Sequence, residues 1–365
     1  MPVFDFRASL KVFGFALYGP QAASHRVRLS QFQTRLSTYG IELQIQSLLD
    51  DAYLHRRFAG GRLLLWGLFA AYIRRLQVLR CSDRFDLAIV YAELLPLLPA
   101  WLEQRLLTVP YILDLDDAFY LKYRSGRLGL LRPFLGSKID RLIAGAAAVT
   151  VGSHILEQYA RRFNPSVVFL PSVVDTNHYK PVERSTPGPL SDSFTVGWIG
   201  SPSTAPYLQS LVEPLSQLAL ERPVRLLVVG GPAPLIPGVE VIEQPWSLET
   251  EIPLIQSFDV GVMPLPDSPW ARGKCAYKLI QCMACAVPVV ASPVGANVDA
   301  VPTACGILAS SPEQWLAAFR RMAADPDLRQ RMGVSGRRWV KERYSLHSAL
   351  PILAGAILQV AESRR

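Results

Sequence analysis

At 365 residues, half of them hydrophobic, the chain is too long for one ordinary domain and carries enough apolar material for two cores. Its five cysteines argue against a disulfide framework and fit a reducing cytoplasm. No run reaches the ~18 apolar residues that a bilayer span needs. The formal net charge of +8 lies wholly in the first half: residues 1–180 hold 22 Lys and Arg against 14 Asp and Glu, and residues 181–365 hold 16 of each. That asymmetry points the first half toward an anionic partner. Nucleic acid does not fit that role, because the basic excess has no aromatic interleaving and no recognition module accompanies it.

In chain order, Val12–Leu17 reads as a first strand, with no small-residue cleavage site behind it to mark a signal peptide. Val27–Tyr39 has helical periodicity. Arg56–Arg80, RRFAGGRLLLWGLFAAYIRRLQVLR, has an apolar centre too short to span a membrane. Arginines flank it, and it contains Trp66, Phe69 and Tyr72. It suits either a helix lying among lipid headgroups or a packing helix. Strand-like runs follow at Leu87–Tyr91, Tyr111–Leu113, Ala148–Val151 and Val167–Leu170. Pro181–Ser193, rich in Pro, Ser and Gly, reads as an interdomain linker. A second series comprises Phe194–Ile199, Val224–Val229, Val239–Ile242, Asp259–Met263 and Val287–Ala291, with helical patterns at Leu208–Leu220 and Pro312–Ala324. Strands alternating with helices predict two α/β domains, each a parallel sheet covered on both faces.

Three stretches carry chemistry. In Trp270–Asn297 the pattern predicts a helix whose buried stripe is Leu279, Cys282, Met283 and Ala286, running into the strand Val287–Ala291. Lys274, Lys278 and Gln281 recur at i, i+4 and i+7 on another face, with Arg272 just ahead. Cations at a helix N-terminus oppose the dipole, so a pyrophosphate there would make sense of them, and Gln281 could meet a ribose hydroxyl. Cys282 and Cys285 form an isolated C-x-x-C and read as small core residues. Thr195–Leu208, TVGWIGSPSTAPYL, turns from a strand into a helix through Gly200, Ser201 and Thr204. Glycine permits close backbone approach there, and the hydroxyls can donate to phosphate oxygens. The same pattern also suits an N-capped βα turn. Tyr111–Tyr120, YILDLDDAFY, delivers Asp114, Asp116 and Asp117 to a strand end. The D-x-D in it could hold a cation or cap the next segment, and no metal site is assigned.

These residues resemble a family. MACAVPVVASPVGAN at 283–297, Cys305-Gly306-Ile307-Leu308, Asp325-Pro326-Asp327-Leu328, Arg331-Met332-Gly333, Gly336-Arg337-Arg338 and Tyr344-Ser345 are similar to retaining GT-B glycosyltransferases of group 1, or family 4. Val151-Gly152-Ser153 with Leu156, and FLPSVVDTNHYKP at 169–181, also fit. The resemblance implies two Rossmann-like domains facing each other across a cleft. It implies an N-terminal acceptor domain at 1–180, a linker at 181–193, a nucleotide-sugar domain at 194–345 and a helix within 346–365 returning to the first domain. It implies a UDP- or GDP-linked donor, a saccharide or lipid-linked acceptor, and no required cofactor or metal. The donor-binding set becomes Gly200, Ser201, Thr204, Tyr207, Trp246, Arg272, Lys274, Lys278, Leu279 and Gln281. Ser24, His25, Arg26 and Arg28 become acceptor-binding, and Asp116 and Asp117 catalytic. The sequence departs from the family at its paired glutamates, which fall on Gly273 and Gln281, and at the usual histidine, replaced by Asp116. A catalytically inactive GT-B subunit and a nucleotide-sugar epimerase remain alternatives. The expected place is the cytoplasm, either free or on the inner face of the plasma membrane through Arg56–Arg80.

Overall fold

Unbroken Val, Ile and Leu runs become parallel strands because burial on both faces favours them. The computed structural model describes residues 9–58, 61, 65–182 and 193–363. It divides into two compact units, one running to Ser172 and resuming at Ala349, the other spanning Val173–Ser348. In the first unit β1 (Leu10–Ala16), β2 (Ile41–Ser47), β3 (Leu87–Tyr91), β4 (Tyr111–Leu115), β5 (Ala148–Val151) and β6 (Val167–Phe169) lie in the order β2-β1-β3-β4-β5-β6. In the second, β7 (Phe194–Ile199), β8 (Val224–Val229), β9 (Glu240–Gln244), β10 (Val260–Met263), β11 (Val289–Ala291) and β12 (Gly306–Leu308) lie in the order β12-β11-β10-β7-β8-β9. Every pairing in both sheets is parallel.

Each order reverses once, between β1 and β3 and between β7 and β10. In doubly wound sheets ligands bind beyond the carboxyl ends of the strands at such a reversal. Both reversal points are therefore followed by the segments that carry polar side chains, Tyr18–His25 and Ala92–Pro99 in one unit, Gly200–Thr204 and Leu265–Ala276 in the other.

The structure differs from the sequence reading in several places. The division between units falls at Ser172 and Val173. Val174 bridges to Ser345, and the Tyr179 ring is buried in the second unit's core. Of the stretch Pro181–Ser193, only Pro181, Val182 and Ser193 are among the described residues. The helix expected over Val27–Tyr39 is broken into a π-helical turn at Arg26–Ser30, a turn of α-helix at Gln31–Gln33 and a 3-10 turn at Leu36–Tyr39. Cys282 and Cys285 are both buried free thiols in the core.

Candidate functional site

In the second unit β7 is buried along its whole length and ends at Ile199, just before Gly200. A Cβ placed on Gly200 would lie 2.3 Å from Lys278 Nζ and 2.7 Å from the Trp198 ring. Only glycine lets that lysine lie against the turn. Lys278 Nζ donates to Thr204 Oγ1 at 3.0 Å and sits 4.0 Å from the Trp198 ring centroid, a cation–π contact. Among the described residues no carboxylate lies within ion-pairing distance of it. Burial, and then the charge of Lys274, hold its pKa well below the usual lysine range. Gly230, at φ +83°, brings the end of β8 against the same turn. A Cβ there would meet Gly200 O at 2.5 Å and Trp246 Cβ at 3.0 Å.

Several of the expected donor residues are engaged elsewhere in the protein. The helix begins at Tyr277, not at Lys274, because Ala276 adopts a left-handed conformation at φ 54°. Lys274 therefore lies in the connector and reaches Lys278 only through its field. Arg272 ends a separate short helix, Pro269–Arg272, and is exposed. Its Nε and Nη2 hold Asp267 at 2.6 and 2.9 Å, and that carboxylate raises its pKa. Arg272 is thus paired rather than turned onto Gly200. Leu279 is fully buried in the core and offers no polar atom to a ligand. Tyr207 packs, half-buried, against that core.

Gln281 is also buried, with its amide tied into a polar network. Nε2 donates to Glu251 Oε1 and to the Tyr179 hydroxyl, each at 3.1 Å. Tyr179 donates to Glu251 Oε1, and Trp246 Nε1 donates to Glu251 Oε2. These acceptors fix the amide's orientation, and Oε1 has no donor among the described residues. Sequence reasoning missed Glu251 and Tyr179, since nothing in their spacing separates Glu251 from the neighbouring acid Glu249.

In the first unit, Arg28 is buried and holds Asp114 through Nε at 2.8 Å and Nη2 at 2.6 Å, while Nη1 donates to Leu170 O. Thr150 Oγ1 donates to the same carboxylate at 2.6 Å. Arg28 is therefore committed to Asp114 and Leu170 O, and the Asp114 carboxylate is held by both Arg28 and Thr150. Asp116 Oδ1 accepts from the Tyr91 hydroxyl at 2.6 Å, and Tyr91 is also hydrogen-bonded to Ser24. Burial pushes the Asp116 carboxyl up to about 6, against the field of Arg28. Asp117 caps its own turn by accepting from Ala118 N. Arg26 closes the loop on Pro20 O and Gln21 O. His25 is buried, its pKa lowered chiefly by that burial, and its Nδ1 has no partner among the described residues. Among those residues no group of three His, Cys, Asp or Glu side chains is arranged to hold a metal.

Residues 193–325 match the family model "Glycosyl transferases group 1". Three solved structures share the fold at low identity. Sucrose-phosphate synthase of Thermosynechococcus elongatus is 16% identical, with a TM-score of 0.71 over 97% of this chain and 100% of that one. HepE of Anabaena, solved with UDP and glucose, is 13% identical with a TM-score of 0.65 over 96% and 99%. WaaG, a glycosyltransferase of lipopolysaccharide biosynthesis, is 13% identical with a TM-score of 0.64 over 95% and 99%. No curated protein matches the chain in sequence. Residues 193–325 thus carry a group 1 glycosyl transferase domain, and the two parallel sheets are those of the GT-B fold.

Proposed function

We propose that the second unit binds the diphosphate of a UDP- or GDP-linked sugar at the Gly200 turn, and that the sugar passes with retention to a saccharide or lipid-linked acceptor in cell-surface polysaccharide or glycolipid synthesis. One observation carries the reading: Lys278 is a half-buried cation at a glycine turn, with no carboxylate beside it among the described residues. A buried charge left unmatched is costly, and a diphosphate would match it. Backbone N–H groups and the hydroxyls of Ser201 and Thr204 would share the phosphate oxygens. As the bond to the sugar breaks, the ammonium stabilises charge gathering on the leaving diphosphate. Gln281 Oε1 would accept from a ribose hydroxyl. In the first unit Asp116, with its carboxyl near 6, suits proton exchange with the acceptor hydroxyl, and Ser24 and Tyr91 hold it in place.

The acceptor unit would work at the inner face of the plasma membrane, held there by Arg56–Arg80. The described part of that segment includes the helix Leu65–Arg80, on which Trp66 and Phe69 are exposed. No described helix is long and apolar enough to cross a bilayer.

The test is thermal unfolding with UDP, GDP, ADP and dTDP. One of them should raise the melting temperature, since a ligand bound only by the native state stabilises it. Lys278→Ala should weaken binding about tenfold or more, the worth of a charge-assisted contact of about 1.5–3 kcal/mol. Binding should also take up protons, because the diphosphate restores the lowered lysine pKa. Affinity should then fall as pH rises. No shift with any nucleotide would refute the reading.

A further inference from the structure

The first unit leaves large apolar side chains in solvent on three separate elements. Trp66, Phe69 and Ile73, at i, i+3 and i+7, share the outer face of the helix Leu65–Arg80, while Ala71, Arg75 and Leu79 fill its inner face. Leu97 is 52% exposed and stands at φ +67°, a backbone conformation that side chains with a Cβ avoid. Leu130 and Phe134 are 89% and 79% exposed. Hydrogen bonds join the three elements. The Tyr72 hydroxyl donates to Pro96 O, Leu97 N donates to the Tyr123 hydroxyl at 3.0 Å, and Lys138 Nζ donates to Leu95 O at 2.8 Å. Residues 94–97 are thus fastened between the helix that bears Trp66 and the stretch 123–138 that bears Leu130 and Phe134.

Glu93 and Glu103 are buried and matched by Lys122 and Lys138, while Asp50 is exposed. Arg56, Arg74 and Arg132 are exposed and have no acidic partner among the described residues. Arg56 and Arg74 also line a cavity of about 230 Å³, together with Asp50, Tyr53, Leu48, Leu49 and Leu68.

We infer that Leu97, Leu130 and Phe134 enter an anionic lipid leaflet alongside Trp66, Phe69 and Ile73, so that the unit docks on three prongs rather than one helix. Strain at an exposed leucine is understandable if its side chain must be held outward into an apolar phase. Unmatched arginines beside the prongs select anionic headgroups. The inference rests on the membrane reading of Arg56–Arg80 and extends it to two further elements.

The experiment is flotation of the full chain with vesicles of phosphatidylcholine alone or with about 30% phosphatidylglycerol. The wild type should float with the anionic vesicles only. Leu130→Asp/Phe134→Asp should reduce the bound fraction about tenfold or more. Leu97→Gly should reduce binding several-fold yet raise the melting temperature, because glycine relieves the positive φ. A purely structural role for Leu97 would couple those two readouts in the same direction. The nucleotide-induced melting shift should persist in every variant and so report an intact second unit. If Trp66→Ser and Arg74→Glu abolish flotation while the Leu97 and Leu130/Phe134 variants bind normally, the three-prong docking is wrong and the single-segment reading stands. If the wild type floats with neither vesicle, or equally with both, the two readings fall together.

Discussion

Restoring the family's glutamate at position 281 should harm this protein. Gln281 Nε2 lies 3.1 Å from Glu251 Oε1, so Gln281→Glu would set two buried carboxylates in contact. Two unit charges about 3 Å apart repel by about 5 kcal/mol at an effective dielectric of about 20. The pair can avoid that by keeping one proton. At pH 7, protonating a glutamate of ordinary pKa about 4.3 costs about 3.7 kcal/mol, which caps the penalty. The shared proton returns about 1 kcal/mol as a hydrogen bond, leaving a loss of about 2–3 kcal/mol. A like charge raises the folded pKa above the unfolded one. The penalty is therefore absent near pH 4 and grows as pH rises. Exchanging the two residues, Glu251→Gln with Gln281→Glu, keeps one charge and one amide and should recover most of the stability. Urea unfolding at pH 4.5 and pH 8 measures all three variants. A single variant as stable as the wild type at pH 8, or a penalty larger in acid, would refute the reasoning.

Asp116→Asn should stabilise the protein at pH 8, on the order of 1–3 kcal/mol, and do nothing near pH 4. A carboxyl raised to about 6 contributes stability below its unfolded pKa that is lost as pH rises through the folded one. The same variant should lower transfer about a hundredfold or more, and wild-type activity should rise with pH through about 6. Arg28→Ala should cost about 3–5 kcal/mol in denaturant unfolding, since it leaves Asp114 buried without its cation. Full stability with a raised acceptor KM would instead return Arg28 to acceptor binding.

Most strands that sequence revealed are buried apolar runs, although β9, an exposed edge strand, was also marked by Val239–Ile242. Each of β3, β4, β5, β7 and β8 was visible as a short hydrophobic block because both its faces are covered. β2 was not, because as an edge strand it alternates Ile and Leu with Glu and Gln and is buried on one side only. β12, Gly306–Leu308 at an edge of the other sheet, has only two apolar side chains and so no run to register. In the helix before β11, Leu279, Cys282 and Met283 are buried as the pattern indicated, but Gln281 is buried with them and Ala286 lies beyond the helix end. An alanine in the left-handed region at 276 resets the phase, and without glycine there no composition signal announces it.

At the candidate site, legibility followed charge pairing. Sequence spacing can bring cations together along one helix, but it cannot see which of them an acid elsewhere has already claimed. Asp267 takes Arg272 from five residues away, and Asp114 takes Arg28 from 86. Lys278 is what that subtraction leaves in the second unit. The same rule divides the D-x-D of the first. Asp114 holds two nitrogens of Arg28 and belongs to the scaffold, whereas Asp116 is raised chiefly by burial, with the field of Arg28 opposing. Its carboxyl consequently sits near 6, between ionised and neutral, where a proton can move in either direction at little cost. The pair of aspartates that suggested a metal is, on this argument, one carboxylate that builds the strand end and another whose pKa burial raises.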